Sequence, residues 1–127
     1  MNELHIPGTQ STPAIHGDWT GGVLHMSGDS YPENSFEMFS EIITWVERFL
    51  KHEDRPLTLE LRIVYMNTSS VRAMLDIFDM LEEAHQAGKA VSVNWYYDPR
   101  NERVVSLADE FKEDCSFPFE IVAEEVV

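Results

Sequence analysis

Leu57-Thr58-Leu59-Glu60-Leu61-Arg62-Ile63-Val64-Tyr65, running on through Met66 into Asn67-Thr68-Ser69-Ser70, is the stretch from which the fold can be read. Apolar residues occupy every odd position from 57 to 65 with mostly polar ones between, the period of two that marks a strand with one buried face. Four small polar residues then lead into Val71, Met74, Leu75, Phe78 and Leu81, spaced as one stripe of a helix that Gly88 closes. A strand passing through a short polar loop into a helix is the repeating unit of an α/β domain.

The same unit recurs on both sides. Upstream, Phe36, Phe39, Ile42, Ile43, Val46, Phe49 and Leu50 form the stripe of a first helix. Before it, Pro13 to His16 and Val23 to Met26 flank Asp18-Trp19-Thr20-Gly21-Gly22, the pattern of a hairpin with a glycine-rich turn. Downstream, Val91 to Tyr97 alternates as a second strand of the 57–65 kind, and Asp98-Pro99 turns the chain into a third helix over about Glu102 to Glu113. That helix has Val105, Ala108 and Phe111 facing inward. Phe117 to Ala123 alternates again, with Pro118 pushing this last strand toward a sheet edge. The order ββαβαβαβ predicts a mixed sheet with an N-terminal hairpin and parallel strands joined by right-handed crossovers. Strands covered on both faces read as continuous apolar runs, and these alternate, so the helices are expected mainly on one face. A chain of 127 residues needs one core, so residues 1–127 are read as a single domain.

Nine Lys and Arg against 23 Asp and Glu leave a formal charge of −14, which repels phosphate backbones and anionic headgroups. Nucleic-acid binding and membrane insertion are therefore not expected. Cys115 is the one cysteine, so no intrachain disulfide can form. With no leader-like start and no apolar run near 20 residues, the expected location is the cytoplasm.

In parallel α/β units, ligands and partners meet the loops that leave the carboxyl ends of the strands. Three such loops are unusual here: Gly28 to Asn34, Asn67 to Ser70, and Asp98 to Arg103. The middle one is the sharpest, because its small polar residues enter a helix whose first N–H groups can hold an anion. A phosphoryl group on Thr68 would meet the positive end of the helix dipole, with Arg72 one turn on. Such clusters more often simply cap the helix, and cap chemistry sets the expected cost of Thr68→Ala at about 0.5–2 kcal/mol. If the three loops share one edge, Tyr31, Asn67, Ser69, Ser70, Arg72, Arg100 and Arg103 are candidate partner-binding residues around Thr68.

Signatures of catalysis are missing: no phosphate-binding glycine loop, no dinucleotide fingerprint, no nucleophile elbow and no zinc-protease motif. His5, His16, His25, His52 and His85 have no metal-ligand spacing in the sequence, so neither metal nor cofactor is expected, nor an enzyme. A response-regulator receiver requires an aspartate where Asn67-Thr68 stands.

A strand, a small polar loop with a hydroxyl at the helix start, and a helix in a one-sided α/β domain resemble the STAS fold of anti-sigma-factor antagonists. A longer match covers nearly the whole chain. His5-Ile6-Pro7-Gly8-Thr9-Gln10-Ser11-Thr12-Pro13, Gly28 to Asn34, Asn67 to Ser70, and Asp114-Cys115-Ser116-Phe117-Pro118-Phe119 resemble the SiaC family of biofilm-regulating phosphoproteins. The resemblance implies Thr68 as phosphate acceptor, with Asn67-Thr68 in place of the antagonists' Asp-Ser leaving Ser69 as the alternative. It also implies a partner-switching circuit. A Ser/Thr protein kinase adds the phosphate, a PP2C-type phosphatase removes it, and the unphosphorylated form binds and activates a diguanylate cyclase, promoting cyclic-di-GMP synthesis and biofilm formation or aggregation. The competing reading is a STAS-like module that senses a small ligand at the same loop edge.

Overall fold

The computed structural model describes residues 3–124. Its elements are β1 (Leu4–Ile6), β2 (Ala14–Asp18), β3 (Val23–Ser30), α1 (Ser35–His52), β4 (Leu57–Met66), α2 (Thr68–Gln86), β5 (Val91–Tyr97), α3 (Glu102–Glu113) and β6 (Phe119–Ala123). They form one six-stranded sheet in the order β1-β2-β3-β4-β5-β6. The first three strands pair antiparallel and the last four parallel. This mixed sheet is compatible with a STAS-like arrangement.

Alternation decides which face the helices cover. Leu24, Leu59, Val93 and Phe119 lie in one cross-strand row on the covered side, and all are buried. The helices close over them through Phe39, Ile42, Val46 and Phe49 of α1, Met74, Ile77, Phe78 and Leu81 of α2, and Val104, Ala108 and Phe111 of α3. The opposite face carries His5, His16, His25, Glu60, Asn94 and Glu120 and has no helix over it.

Several expectations are corrected. β1 is an additional strand, three residues long and too short to show a period. β3 runs to Ser30, so Gly28 to Ser30 belong to the strand rather than to a loop, and α2 begins at Thr68, so Thr68 to Ser70 are its first turn. In α3 the inward valine is Val104, which shares a stripe with Ala108 and Phe111 at spacings of four and three; Val105 is half-buried on the flank. In α2, Ile77 is buried while Leu75 is exposed.

The correction that matters most lies in β4. Its register with β3 slips between Gly28, which faces Ile63, and Asp29, which faces Tyr65. One extra residue, Val64, sits in the bulge, and such a slip turns every later side chain to the other face. Tyr65, expected inward by the alternation, is 54% exposed, and Met66 is buried in its stead.

Candidate phosphorylation and docking site

The four residues after β4 divide their tasks. Asn67 is the N-cap of α2: its Oδ1 accepts from the Ser70 N–H at 3.0 Å and from the Ser69 hydroxyl at 3.2 Å. Its Nδ2 donates to the Pro32 carbonyl at 3.2 Å, and its backbone N–H donates to the Ser30 carbonyl at 2.8 Å. Ser70 is fully buried with its hydroxyl 2.7 Å from that of Ser30, also fully buried. Asn67 and Ser70 thus tie the start of α2 to the end of β3. Thr68 is exposed at the first helical position, and its hydroxyl has no partner among the described residues.

Because Thr68 is helical, Arg72 stands four residues on along the same face. Arg72 is exposed and forms no ion pair among the described residues. It lines a shallow groove between α1 and α2 together with Ser69, Ala73, Asp76 and Phe36. Phe36, placed on the core stripe by its spacing, is 80% exposed. It lies on the flank shared with Ile43 and Leu50, which are half-buried, but at the end where α2 opposes it with little beyond Ser69 and Ala73. Ser35 takes the buried position of that first turn.

At the end of β4, three residues before Thr68, the exposed Tyr65 meets Tyr31 edge to face at 6.0 Å. Tyr31 is held by its N–H, which donates to the Ser11 carbonyl at 2.8 Å. The Ser11 turn is closed by Thr9, whose Oγ1 accepts from the N–H groups of Ser11 and Thr12. Pro7 to Pro13 therefore forms a fourth loop at this edge. Spacing gave no sign of it, since it owes its place to the pairing of β1 and β2. Tyr65 and Phe36 are the residues that sequence reasoning missed, one hidden by the bulge and the other by its helical period.

The third loop meets β4 just before Tyr65: Arg100 and Asn101 line a pocket with Ile63 and Val64. β4 continues five residues past its last pair with β5, Leu61 with Trp95, whereas β5 continues two. With the bulged Val64 discounted, β5 thus ends about 7 Å short of the end of β4, at about 3.3 Å per residue. Arg100 is engaged there with Asp98, at 2.6 Å from Nη2 to Oδ2, and these hydrogen bonds hold the Asp98 carboxyl down to about 2. Arg103 is exposed on α3. Asn67, Ser69, Ser70 and Arg72 lie with Thr68 at the head of α2, and Tyr31 adjoins through Pro32, whose carbonyl takes the Asn67 amide.

The groove beside Thr68 holds about 220 Å³. Small-molecule sites run from about 300 Å³ upward and enclose most of the ligand. The geometry is that of an exposed hydroxyl on a surface with aromatic and cationic neighbours, better suited to a protein than to a small ligand. Cys115 adds no reactive thiol: it is part-buried, donates to the Phe111 carbonyl, and burial pushes it up to about 11.

The model of the SiaC family regulatory phosphoprotein matches residues 6–124. This chain belongs to that family. An uncharacterized protein of Pseudomonas aeruginosa strain UCBPP-PA14 is 67% identical over 123 residues, covering 97% of this chain and 98% of its own length. Among solved structures, apo-SiaC from P. aeruginosa superposes with a TM-score of 0.93 at 65% identity, over 97% of this chain and 100% of that one. The crystal structure of the diguanylate cyclase SiaD in complex with its activator SiaC, from the same organism, matches with a TM-score of 0.94 at 67% identity, over 95% and 99% of the two chains. Set on this structure, the family's matching segments sort by role. Asp114 to Phe119 is structural, since Phe117 and Phe119 enter the core and Glu82 of α2 accepts from the Ser116 N–H at 2.7 Å. The segments at 28–34 and 67–70 are joined by the Asn67 bonds to the Ser30 and Pro32 carbonyls, and the segment at 5–13 meets the first of them through the Ser11 carbonyl and the Tyr31 N–H.

Proposed function

We propose that this member of the SiaC family is a phosphorylation-switched activator of a diguanylate cyclase, with Thr68 as the acceptor. In this reading it is a cytoplasmic, non-catalytic protein, phosphorylated by a Ser/Thr kinase and restored by a PP2C-type phosphatase. The unphosphorylated form engages the cyclase and thereby promotes cyclic-di-GMP synthesis and biofilm formation. The family and the cyclase–activator complex of its relative support the partner class.

One observation carries the choice of acceptor. Of the four polar residues at the head of α2, Thr68 alone has a hydroxyl with no structural duty: Asn67 caps, Ser69 bonds to the cap and Ser70 is buried against Ser30. A kinase and a phosphatase both need a hydroxyl that can leave the surface without unravelling the fold. Arg72 and the helix N-terminus then receive the phosphate. Phe36 is exposed in the groove with Ser69 and Arg72, the Tyr31–Tyr65 pair stands at the end of β4, and aromatic side chains of this kind anchor protein interfaces.

The test is fragment-resolved mass spectrometry of the protein after reaction with its kinase, alongside Thr68→Ala. One phosphate on Thr68, absent from the variant, is expected; a variant that still gains one phosphate moves the acceptor to Ser69. Titration of both forms against the cyclase then asks whether binding and activation belong to the unphosphorylated protein.

A further inference from the structure

Cross-strand register places three histidines side by side. His5 of β1 faces His16 of β2, and His16 faces His25 of β3. All three are exposed on the face of the sheet that no helix covers. Their sequence spacings of 11 and 9 resemble no ligand motif, and only the pairing of three antiparallel strands aligns them. The ring centres of His5 and His16 lie 6.1 Å apart, and those of His16 and His25, nearly parallel, 5.8 Å apart.

Carboxylates stand beside the row. Beyond His25 the next residue in register is Glu60, whose carboxylate is occupied by the Asn94 amide at 2.8 Å and the Tyr96 hydroxyl at 3.0 Å. Over the middle of the row Glu3 lies 3.3 Å from His16 Nε2, while its second oxygen takes the Trp19 N–H at 2.8 Å. Glu3 is thus fixed by the backbone where it can hold one nitrogen of His16, the carboxylate–imidazole arrangement that orients metal-bound histidines.

We propose that His5, His16 and His25 form a site for a borderline divalent transition metal of the zinc and copper class, closing over β1, β2 and β3. Directly opposed strand positions have Cβ atoms about 4.5–5.5 Å apart. Two nitrogens bound at about 2.0–2.1 Å to a tetrahedral ion stand roughly 3.3 Å from each other. Rings rooted at that spacing meet the requirement by tilting toward the middle strand. In the free protein the rings lie side by side, and among the described residues no three such groups converge on a point. Convergence takes only side-chain rotation, which at exposed positions occurs within nanoseconds. Three neutral imidazoles with a fourth position left to water are a complete ligand set for zinc, and imidazole selects such ions over Mg²⁺ and Ca²⁺. The structural consequence is a clamp on β1, the short edge strand that carries the chain into the Pro7–Pro13 loop.

Zinc chloride is titrated calorimetrically into tag-free, full-length protein, with His16→Asn, His5→Asn and His25→Asn in parallel and His52→Asn as control. One zinc per chain is expected, with affinity lowered at least about tenfold by each substitution in the row and unchanged by the control. Zinc should raise the melting temperature and slow amide exchange in residues 4–6, and excess Mg²⁺ should do neither. Melting of the metal-free variants at the parent temperature confirms that they fold. The site is overturned if His16→Asn binds zinc like the parent, which would mean diffuse binding to surface carboxylates. It is equally overturned if zinc binds only by joining two molecules, seen as a dimer in light scattering.

Discussion

Phosphorylation of Thr68 is expected to abolish cyclase binding while leaving the domain's stability nearly unchanged. The modification adds about 1.5–2 negative charges at neutral pH. It enters at the first turn of a 19-residue helix, where an anion gains typically 0.3–1 kcal/mol, and the Thr68 side chain makes no internal contact that must break. Against this stands the general repulsion of a chain already at −14, which salt screens beyond about 8 Å. The folded state should therefore shift by no more than about 1 kcal/mol, or roughly 3–5 °C in melting temperature for a domain of this size. Binding is another matter, since a thousandfold loss requires about 4 kcal/mol. Two like unit charges about 4 Å apart at an effective dielectric of about 20 repel by about that much, whereas at about 20 Å in water the figure is a few tenths. Only an interface that includes Thr68 reaches the required size. Calorimetric melting of the two phospho-forms, with titration of each against the cyclase, measures both quantities. A phosphoprotein that melts more than about 10 °C below the unmodified one would show that the switch works through the fold. One that binds the cyclase as well as the unmodified protein would place the interface elsewhere.

Asn67→Ala should cost about 0.5–2 kcal/mol in urea unfolding and Thr68→Ala less than about 0.5, since the structure moves the cap from Thr68 to Asn67 and so corrects the larger cost expected for Thr68. Equal costs would refute that assignment. Ser70→Ala leaves the buried Ser30 hydroxyl without its partner and should cost about 1–3 kcal/mol, with Ser30→Ala/Ser70→Ala costing less than the sum of the single changes; additive costs would deny the coupling. Cys115, pushed up to about 11 by burial and by the charges of Glu82, Asp114 and Asp79, should react slowly with a disulfide reagent at pH 8 and quickly only above about pH 10. The same upward shift favours the folded state below the ordinary thiol value of 9.0 and is lost as pH rises from there to about 11. Rapid labelling of the native protein at pH 8 would contradict it.

What was legible in the sequence was whatever depends on near neighbours. α3 falls on the residues its turn and period select, Glu102 to Glu113, and α2 and both flanking strands lie where their periods put them. What escaped depends on the offset between strands. Nothing within residues 57–66 announces that Val64 will be squeezed out of register, because the bulge arises where β3 carries Gly28 at a φ of 113°, a conformation L side chains rarely adopt. The height of the Arg100 and Arg103 loop against Thr68 depends on the same offset. Strands of unequal length end at different heights, and a topology without a register treats their loops as level.

The bulge also shapes the surface at the end of β4. Had β4 kept its alternation to the end, Tyr65 would point into the core and Met66 outward, leaving Thr68 beside a flexible apolar side chain and no aromatic pair. The slip instead delivers Tyr65 to Tyr31 and buries Met66 as the last core residue of the strand. It does so two residues before α2 begins, so that Asn67 still meets the Pro32 carbonyl and Ser70 still meets Ser30. Rigid anchoring by Asn67 and Ser70 is what leaves Thr68 nothing structural to do. A hydroxyl that carries no structural contact can gain and lose a dianion repeatedly without the helix start being rebuilt.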